Sequence, residues 1–302
     1  MISKLEGIII METPYGDNSK IINVLTKEKG MIGIMCSNAK SIKNPLRSKT
    51  LKFTYGYFHI NYNENKLSKL VDVDIIDNLS NIRNDITLIS YMSYITDLTY
   101  QVLKQNNEPD IYNLFISTVL KLNENKNPLI LTNILELKYL DYLGVGLNLE
   151  CCVKCGSKKN IVTLDPDEGG YICQNCYTNE RILDPKSIKL IRMYYLVDVN
   201  SIGEINIKAS IANEINYFLD KYYDRFTGLY LKSKDFLKRI DNFNKFSKLN
   251  YLDVSGNSIE VSKLINSEFE ISSLMLSIVF LLALCKPNST QNSLKCFLRV
   301  FK

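Results

Sequence analysis

The sequence holds one histidine, His59, in 302 residues. A single imidazole leaves little room for His-based triads or His-rich catalytic metal centres. No Gly-x-x-x-x-Gly-Lys-Ser/Thr loop occurs, which excludes a P-loop ATPase, and no Gly-x-Gly-x-x-Gly fingerprint occurs either. The apolar run Gly7–Met11 is short and follows Glu6, so a signal peptide is not expected and a cytoplasmic, nucleoid-associated setting is. The run 274–285 is also too short to span a bilayer, and a membrane partner is not expected. Acidic residues are missing between Glu28 and Glu64. Residues 1–60 carry nine Lys/Arg against four acids, an excess of five that equals the net charge of the whole chain. A positive field confined to one small segment suits a polyanionic partner.

Hydrophobic residues make up 46% of the chain, enough for more than one core, and the length favours two or three domains. Residues 4–11, 19–25, 31–36, 51–62 and 67–77 read as strands rich in Ile, Val, Tyr and Phe. Turn-formers separate them, Pro14-Tyr15-Gly16-Asp17 among them. Five short strands predict a closed barrel, either an oligonucleotide/oligosaccharide-binding (OB) barrel or an SH3-like one. His59 lies among aromatics in the fourth strand and reads as a satisfied barrel residue.

Near Ser80 the apolar period changes from two to helical. Ile82, Ile86, Ile89, Met92, Ile95, Thr99 and Val102 predict one long helix capped by Ser80 or Asn81. A second helix follows Pro109-Asp110. A third is capped by Asn127, has Pro128 in its first turn and exits at Gly144; apolar residues surround it, so it should be central. Asp184-Pro185 opens a fourth helix, a fifth runs over about 207–223, and a short basic one covers 233–240. The expected organisation is a barrel over 1–78, a helical domain over 79–243 with an insert at 151–180, and an atypical tail over 244–302. The apolar run in that tail reads as a core or interface helix, with a membrane-associated segment or a non-native reading frame as rivals.

Four of the eight cysteines form two Cys-x-x-Cys pairs, Cys152/Cys155 and Cys173/Cys176, separated by seventeen residues. Such a gap matches a zinc knuckle pair, in which each short spacer aims two thiolates at one ion. Four sulfurs leave no open coordination position, so one structural zinc ion is expected. A redox Cys-x-x-Cys is the rival, and two pairs at this distance disfavour it. Cys151 offers an alternative register, but only Cys152 has the two-residue gap. Cys36, Cys285 and Cys296 read as ordinary apolar residues. Gly156 lets the chain turn after the first pair. Asp165, Asp167 and Glu168 can be imagined as a Mg²⁺ cluster but read more simply as a hairpin turn. No catalytic residue is assigned and no enzyme is expected.

Lys40, Lys43, Arg47, Lys49 and Lys52 lie between the third and fourth strands and are the candidate nucleic-acid-binding residues, on what reads as a mobile loop. Phe53, Tyr55, Tyr57 and Phe58 flank them, and aromatics outside the barrel can stack on bases. Lys232, Lys234, Lys238 and Arg239, and Lys154, Lys158 and Lys159 on the knuckle, are weaker candidates for extending the path.

The order of these parts resembles the bacterial RecO family. The resemblance is carried by Tyr15-Gly16-Asp17-Asn18-Ser19-Lys20, Thr26-Lys27-Glu28-Lys29-Gly30 and Leu135-Glu136-Leu137-Lys138-Tyr139-Leu140-Asp141-Tyr142-Leu143-Gly144. Cys152-Val153-Lys154-Cys155-Gly156, Asp165-Pro166-Asp167-Glu168-Gly169-Gly170-Tyr171-Ile172-Cys173 and Leu183-Asp184-Pro185 complete it. It covers about Met1 to Ile240, and the tail beyond Phe243 departs from it. The resemblance implies an α+β chain with an N-terminal five-stranded OB barrel, a helical domain and a four-cysteine zinc module. It implies a DNA-repair role: binding and annealing single- and double-stranded DNA and, with RecR and single-strand-binding protein, helping to load RecA. The family's zinc ligands fall on Cys152, Cys155, Cys173 and Cys176. A zinc-ribbon transcription or translation factor, and a nuclease using Asp165, Asp167 and Glu168, are the competing readings.

Overall fold

The computed structural model describes residues 2–64, 66–106 and 108–241. These belong to one compact unit, Met1–Lys245. The tail 244–302, with its apolar run and Cys285 and Cys296, lies outside the described residues.

Five strands form a closed barrel: β1 (Ile2–Tyr15), β2 (Ser19–Thr26), β3 (Gly30–Cys36), β4 (Tyr55–Asn61) and β5 (Ser68–Asp77). The order around it is β1-β2-β3-β5-β4. Closure runs through parallel β3/β5 pairing and antiparallel β1/β4 pairing. That order is the Greek-key OB barrel rather than the SH3-like alternative. Leu5, Ile9, Ile22, Val24, Ile34, Phe58, Ile60 and Val73 fill the interior.

Alternation explains why the opening strand is so uniformly apolar. Ile9 points into the barrel, while Ile8 and Ile10 belong with Leu25, Phe53 and Tyr55 to a second core that they share with the helices. A strand buried on both faces needs apolar side chains at consecutive positions. His59 is a satisfied barrel residue, as expected: it faces outward from β4, and its Nε2 lies 2.8 Å from Asp74 Oδ2. The imidazole beside it holds the Asp74 carboxyl below the usual carboxylate range.

Two expectations for the barrel's surroundings are corrected. The strand expected from residue 51 begins at Tyr55, because Phe53 adopts a left-handed conformation (φ 70°) and breaks the extended run. The β3–β4 connector, residues 37–54, is not a plain loop. It contains a one-turn helix, α1 (Leu46–Lys49), and is bonded to the barrel at several points.

The long helix expected from Ser80 is two helices, α2 (Ser80–Asn84) and α3 (Ile86–Gln105). Asp85 between them is extended, and its carboxylate accepts from Thr87 N and Leu88 N as the α3 cap. Neither Ser80 nor Asn81 caps α2. Leu79 holds the N-cap position in a left-handed conformation with no side-chain cap, and its N–H donates to Asp77 Oδ1 at 2.7 Å.

The remaining helices are α4 (Pro109–Asn123), α5 (Pro128–Tyr142), α6 (Pro185–Leu196) and α7 (Ala209–Phe226); residues 232–241 are also helical. The α5 boundaries follow the expected punctuation. Asn127 accepts from Leu129 N and Ile130 N, Pro128 opens the first turn, and Gly144 leaves the helix with φ 72°. The α5 helix packs against α3, α4, α6 and α7, which is why apolar residues surround it.

Candidate metal centre and nucleic-acid face

Between α5 and α6 the chain forms a three-stranded sheet in the order β6-β8-β7: β6 (Asn148–Cys152), β7 (Ile161–Asp165) and β8 (Gly170–Cys173). Each Cys-x-x-Cys pair closes a knuckle by backbone bonds. Gly156 N donates to Cys152 O at 2.8 Å, and Cys176 N donates to Cys173 O at 3.0 Å. Gly156 takes φ 74°, a conformation that L side chains rarely adopt. The two knuckles bring Cys152, Cys155, Cys173 and Cys176 together, with all four sulfurs within 4.8 Å of one another. Cys155 Sγ and Cys173 Sγ are 3.5 Å apart. Tetrahedral zinc with Zn–S of about 2.3 Å places its sulfurs roughly 3.8 Å apart, so the donor set fits such an ion. Cys151 lies outside the cluster, beside Asn148.

Two of the thiols are shifted in opposite directions. Burial would raise Cys152, but the N–H groups of Cys173, Lys154 and Cys155 overcome it and bring that thiol down to about 6. Hydrogen bonding with Cys155, and then burial, push Cys176 up to about 12. Four adjacent thiols cannot all ionise unless a cation sits among them, and a dication supplies that charge.

The module is anchored in the helical body. Leu149, Leu164 and Tyr171 belong to the large helical core. Thr163 Oγ1 donates to Arg181 O and accepts from Leu183 N. Asp165 is a turn residue whose carboxylate accepts from Asp167 N and Glu168 N. Lys154 is held by Glu180 at 2.6 Å and Glu168 at 3.5 Å, whereas Lys158 and Lys159 are exposed.

The five cations of the connector are placed unequally. Lys43 and Arg47 are exposed, and their side chains have no hydrogen-bond or ion-pair partner among the described residues. Lys40 Nζ donates to Gly16 O at 3.0 Å. Lys49 pairs with Asp72 at 2.7 Å. Lys52 lies over the Phe53 ring, 4.7 Å from its centroid, and burial lowers its pKa. Of the flanking aromatics, Phe53, Tyr55 and Phe58 are buried and cannot meet a base. Tyr57 is half-buried on the outer face under Lys4, at 4.2 Å. The sequence could not separate these roles, because side-chain parity along β4 depends on the break at Phe53.

Lys234 is placed differently from the exposed cation that the sequence suggested. It bridges Glu136 at 2.9 Å and Asp220 at 2.8 Å, and Lys238 holds the other Asp220 oxygen. Tyr94 OH also donates to Glu136, and Tyr223 OH donates to the Glu136 carbonyl oxygen. Glu136 belongs to the Leu135-Glu136-Leu137 stretch, and its carboxylate receives the last described helix. Sequence reading gave it no role, because its partners lie far away along the chain.

Comparison with known proteins completes the assignment. The family profile described as recombination protein O N terminal matches residues 1–79, and that described as recombination protein O C terminal matches residues 83–235. The chain belongs to the RecO family. Among relatives of this RecO chain, the DNA repair protein RecO of Bacillus pumilus (strain SAFR-032) is 33% identical over 249 residues, covering 81% of this chain and 97% of the relative. That of Listeria monocytogenes serotype 4b (strain CLIP80459) is 32% identical over 251 residues, covering 82% and 98%. That of Halalkalibacterium halodurans is 33% identical over 246 residues, covering 80% and 96%. A role in DNA repair follows for this RecO chain. No helix among the described residues is long and apolar enough to cross a membrane.

Proposed function

We propose that this chain is a non-catalytic recombination mediator that binds single- and double-stranded DNA, anneals complementary strands and, with RecR and single-strand-binding protein, helps RecA load in the cytoplasm at the nucleoid. The barrel, 1–78, is the DNA-binding module. The body, 79–243, carries one structural zinc on Cys152, Cys155, Cys173 and Cys176. The observation that carries the reading is the exposed pair Lys43 and Arg47 on a connector that contains no acid, mounted on an OB barrel in a RecO-family chain. Lys40, Lys49 and Lys52 add to the field there, although each is engaged within the protein.

No bond is made or broken in this reading. Strands are captured by phosphate neutralisation and released counterions, and annealing follows from holding two polyanions on one cationic face. A zinc-ribbon transcription or translation factor is less well supported, because the sheet of the module is packed into the helical core through Leu149, Leu164 and Tyr171.

The test is fluorescence anisotropy of a labelled oligonucleotide across a salt series. Lys43→Ala/Arg47→Ala is expected to weaken binding and reduce the log–log salt slope by about 1–2, one phosphate contact per lost cation. An unchanged slope places the DNA path elsewhere.

A further inference from the structure

We propose that Lys20 is a positioning residue for nucleic-acid binding: buried in the barrel, it fixes the connector that presents Lys43 and Arg47. The inference rests on the reading of that connector as the DNA-binding segment. Lys20 ends the Gly16-Asp17-Asn18-Ser19-Lys20 stretch, which carries part of the family resemblance.

Lys20 cannot itself meet a phosphate. It is 8% exposed, in β2, and its Nζ donates to Glu12 Oε2 at 2.7 Å and to Thr50 O at 2.6 Å. Thr50 closes α1, since both its N–H and its hydroxyl bond the Leu46 carbonyl. Lys20 thus attaches the end of α1 to the β1–β2 hairpin, with Glu12 keeping the ammonium neutralised. The same stretch holds the start of the connector. Ser19 Oγ accepts from Asn38 N at 3.1 Å, and Asn18 O accepts from Lys40 N at 2.9 Å. Gly16 O accepts the Lys40 ammonium. Residues 16–20 are therefore a staple with two ends, one at residues 38–40 and one at Thr50. Lys43 and Arg47 lie between those ends.

Without the Lys20 attachment, α1 keeps the Lys49–Asp72 pair and the Phe53 and Thr54 backbone bonds to Ile9, but part of its ordering is deferred to the moment of binding, and affinity falls by the entropy of that part. The number of cations that reach phosphates does not change. Affinity and salt slope therefore separate a residue that positions from one that touches DNA.

The experiment measures anisotropy salt series on the full chain for wild type, Lys20→Met, Lys20→Arg and Lys43→Ala/Arg47→Ala, with amide hydrogen exchange over residues 37–54. Lys20→Met is expected to weaken binding about 5- to 10-fold at a fixed salt concentration with the slope unchanged, and to speed exchange in the connector. Lys20→Arg, which keeps a buried donor cation, is expected to recover most of the affinity. Should Lys20→Met fail to fold, Glu12→Gln keeps Lys20 and weakens only its ion pair, with a smaller effect expected in the same direction. A slope that falls with Lys20→Met makes Lys20 a DNA contact and overturns the proposal. So does unchanged affinity of Lys20→Met where the Lys43/Arg47 pair matters, and that result leaves the site reading intact. If the Lys43/Arg47 variant binds like wild type, the site reading fails and the positioning role fails with it.

Discussion

At the scale of single residues, the network around Glu136 shows how a cation can be removed from a binding role by burial. Lys234 retains 22% side-chain exposure and Glu136 4%, so deleting one partner leaves the other poorly solvated. Lys234→Met should lower stability by about 2–4 kcal/mol, somewhat below the range for fully buried pairs, because part of Lys234 is wet. The DNA salt slope should stay unchanged. Chemical denaturation and the salt series check both, and a flattened slope would put Lys234 back on the DNA path. Asp220 gives a pH prediction. Burial opposes its ionisation, but Lys234 and Lys238 outweigh burial and hold its pKa below the ordinary value. Its folded pKa lies below the unfolded one, so its stabilisation is complete above the unfolded value near 4 and is lost as pH falls through the folded value. Asp220→Asn should therefore narrow the gap between melting temperatures at pH 7 and pH 3, and an equal gap would refute the assignment. The cysteine quartet was legible in the sequence because knuckle spacing is local. Lys20, Lys234 and Glu136 were not, because their partners are set by packing between distant segments.

At the scale of elements, local punctuation carried most of what could be read. Asn127-Pro128 and Gly144 bound α5 where expected, because a cap, a first-turn proline and a left-handed exit each act within a few residues. The α2–α3 break was missed because the apolar positions Ile82, Ile86 and Ile89 keep helical spacing across Asp85. Asp85 acts as a cap, which periodicity does not register. Asp85→Ala should cost about 1 kcal/mol in denaturant unfolding, as the loss of a cap does, and a neutral result would show that Thr87 N and Leu88 N find other acceptors. The metal module gives a second element-scale prediction. The protein should carry one zinc per chain, and Cys152→Ser/Cys155→Ser should lose it, with faster amide exchange over residues 148–176. Full zinc in that variant would contradict the ligand assignment.

At the scale of the whole molecule, the barrel and the helices share a core. Ile8, Ile10, Leu25, Phe53 and Tyr55 pack with residues of α3, α4 and α5 in one cluster. Glu6 Oε1 accepts from Tyr55 OH at 2.6 Å and from Tyr112 OH of α4 at 3.1 Å, and Arg83 Nη2 donates to Thr54 Oγ1. A fragment ending at residue 79 would bare those apolar side chains, and we expect it to be poorly soluble beside the full chain. The sequence showed strand content and the change of period near residue 80. It did not show that one face of the barrel is an interior surface, because apolar residues at consecutive positions fit several kinds of burial. The most direct test of the central claim is an annealing assay with two labelled complementary oligonucleotides and the full chain, run with and without Mg²⁺ and followed by denaturing electrophoresis. A non-catalytic mediator should give faster annealing than the spontaneous rate in both conditions, with every strand recovered at full length. Strand cleavage that depends on Mg²⁺, or no acceleration at low salt, would contradict it.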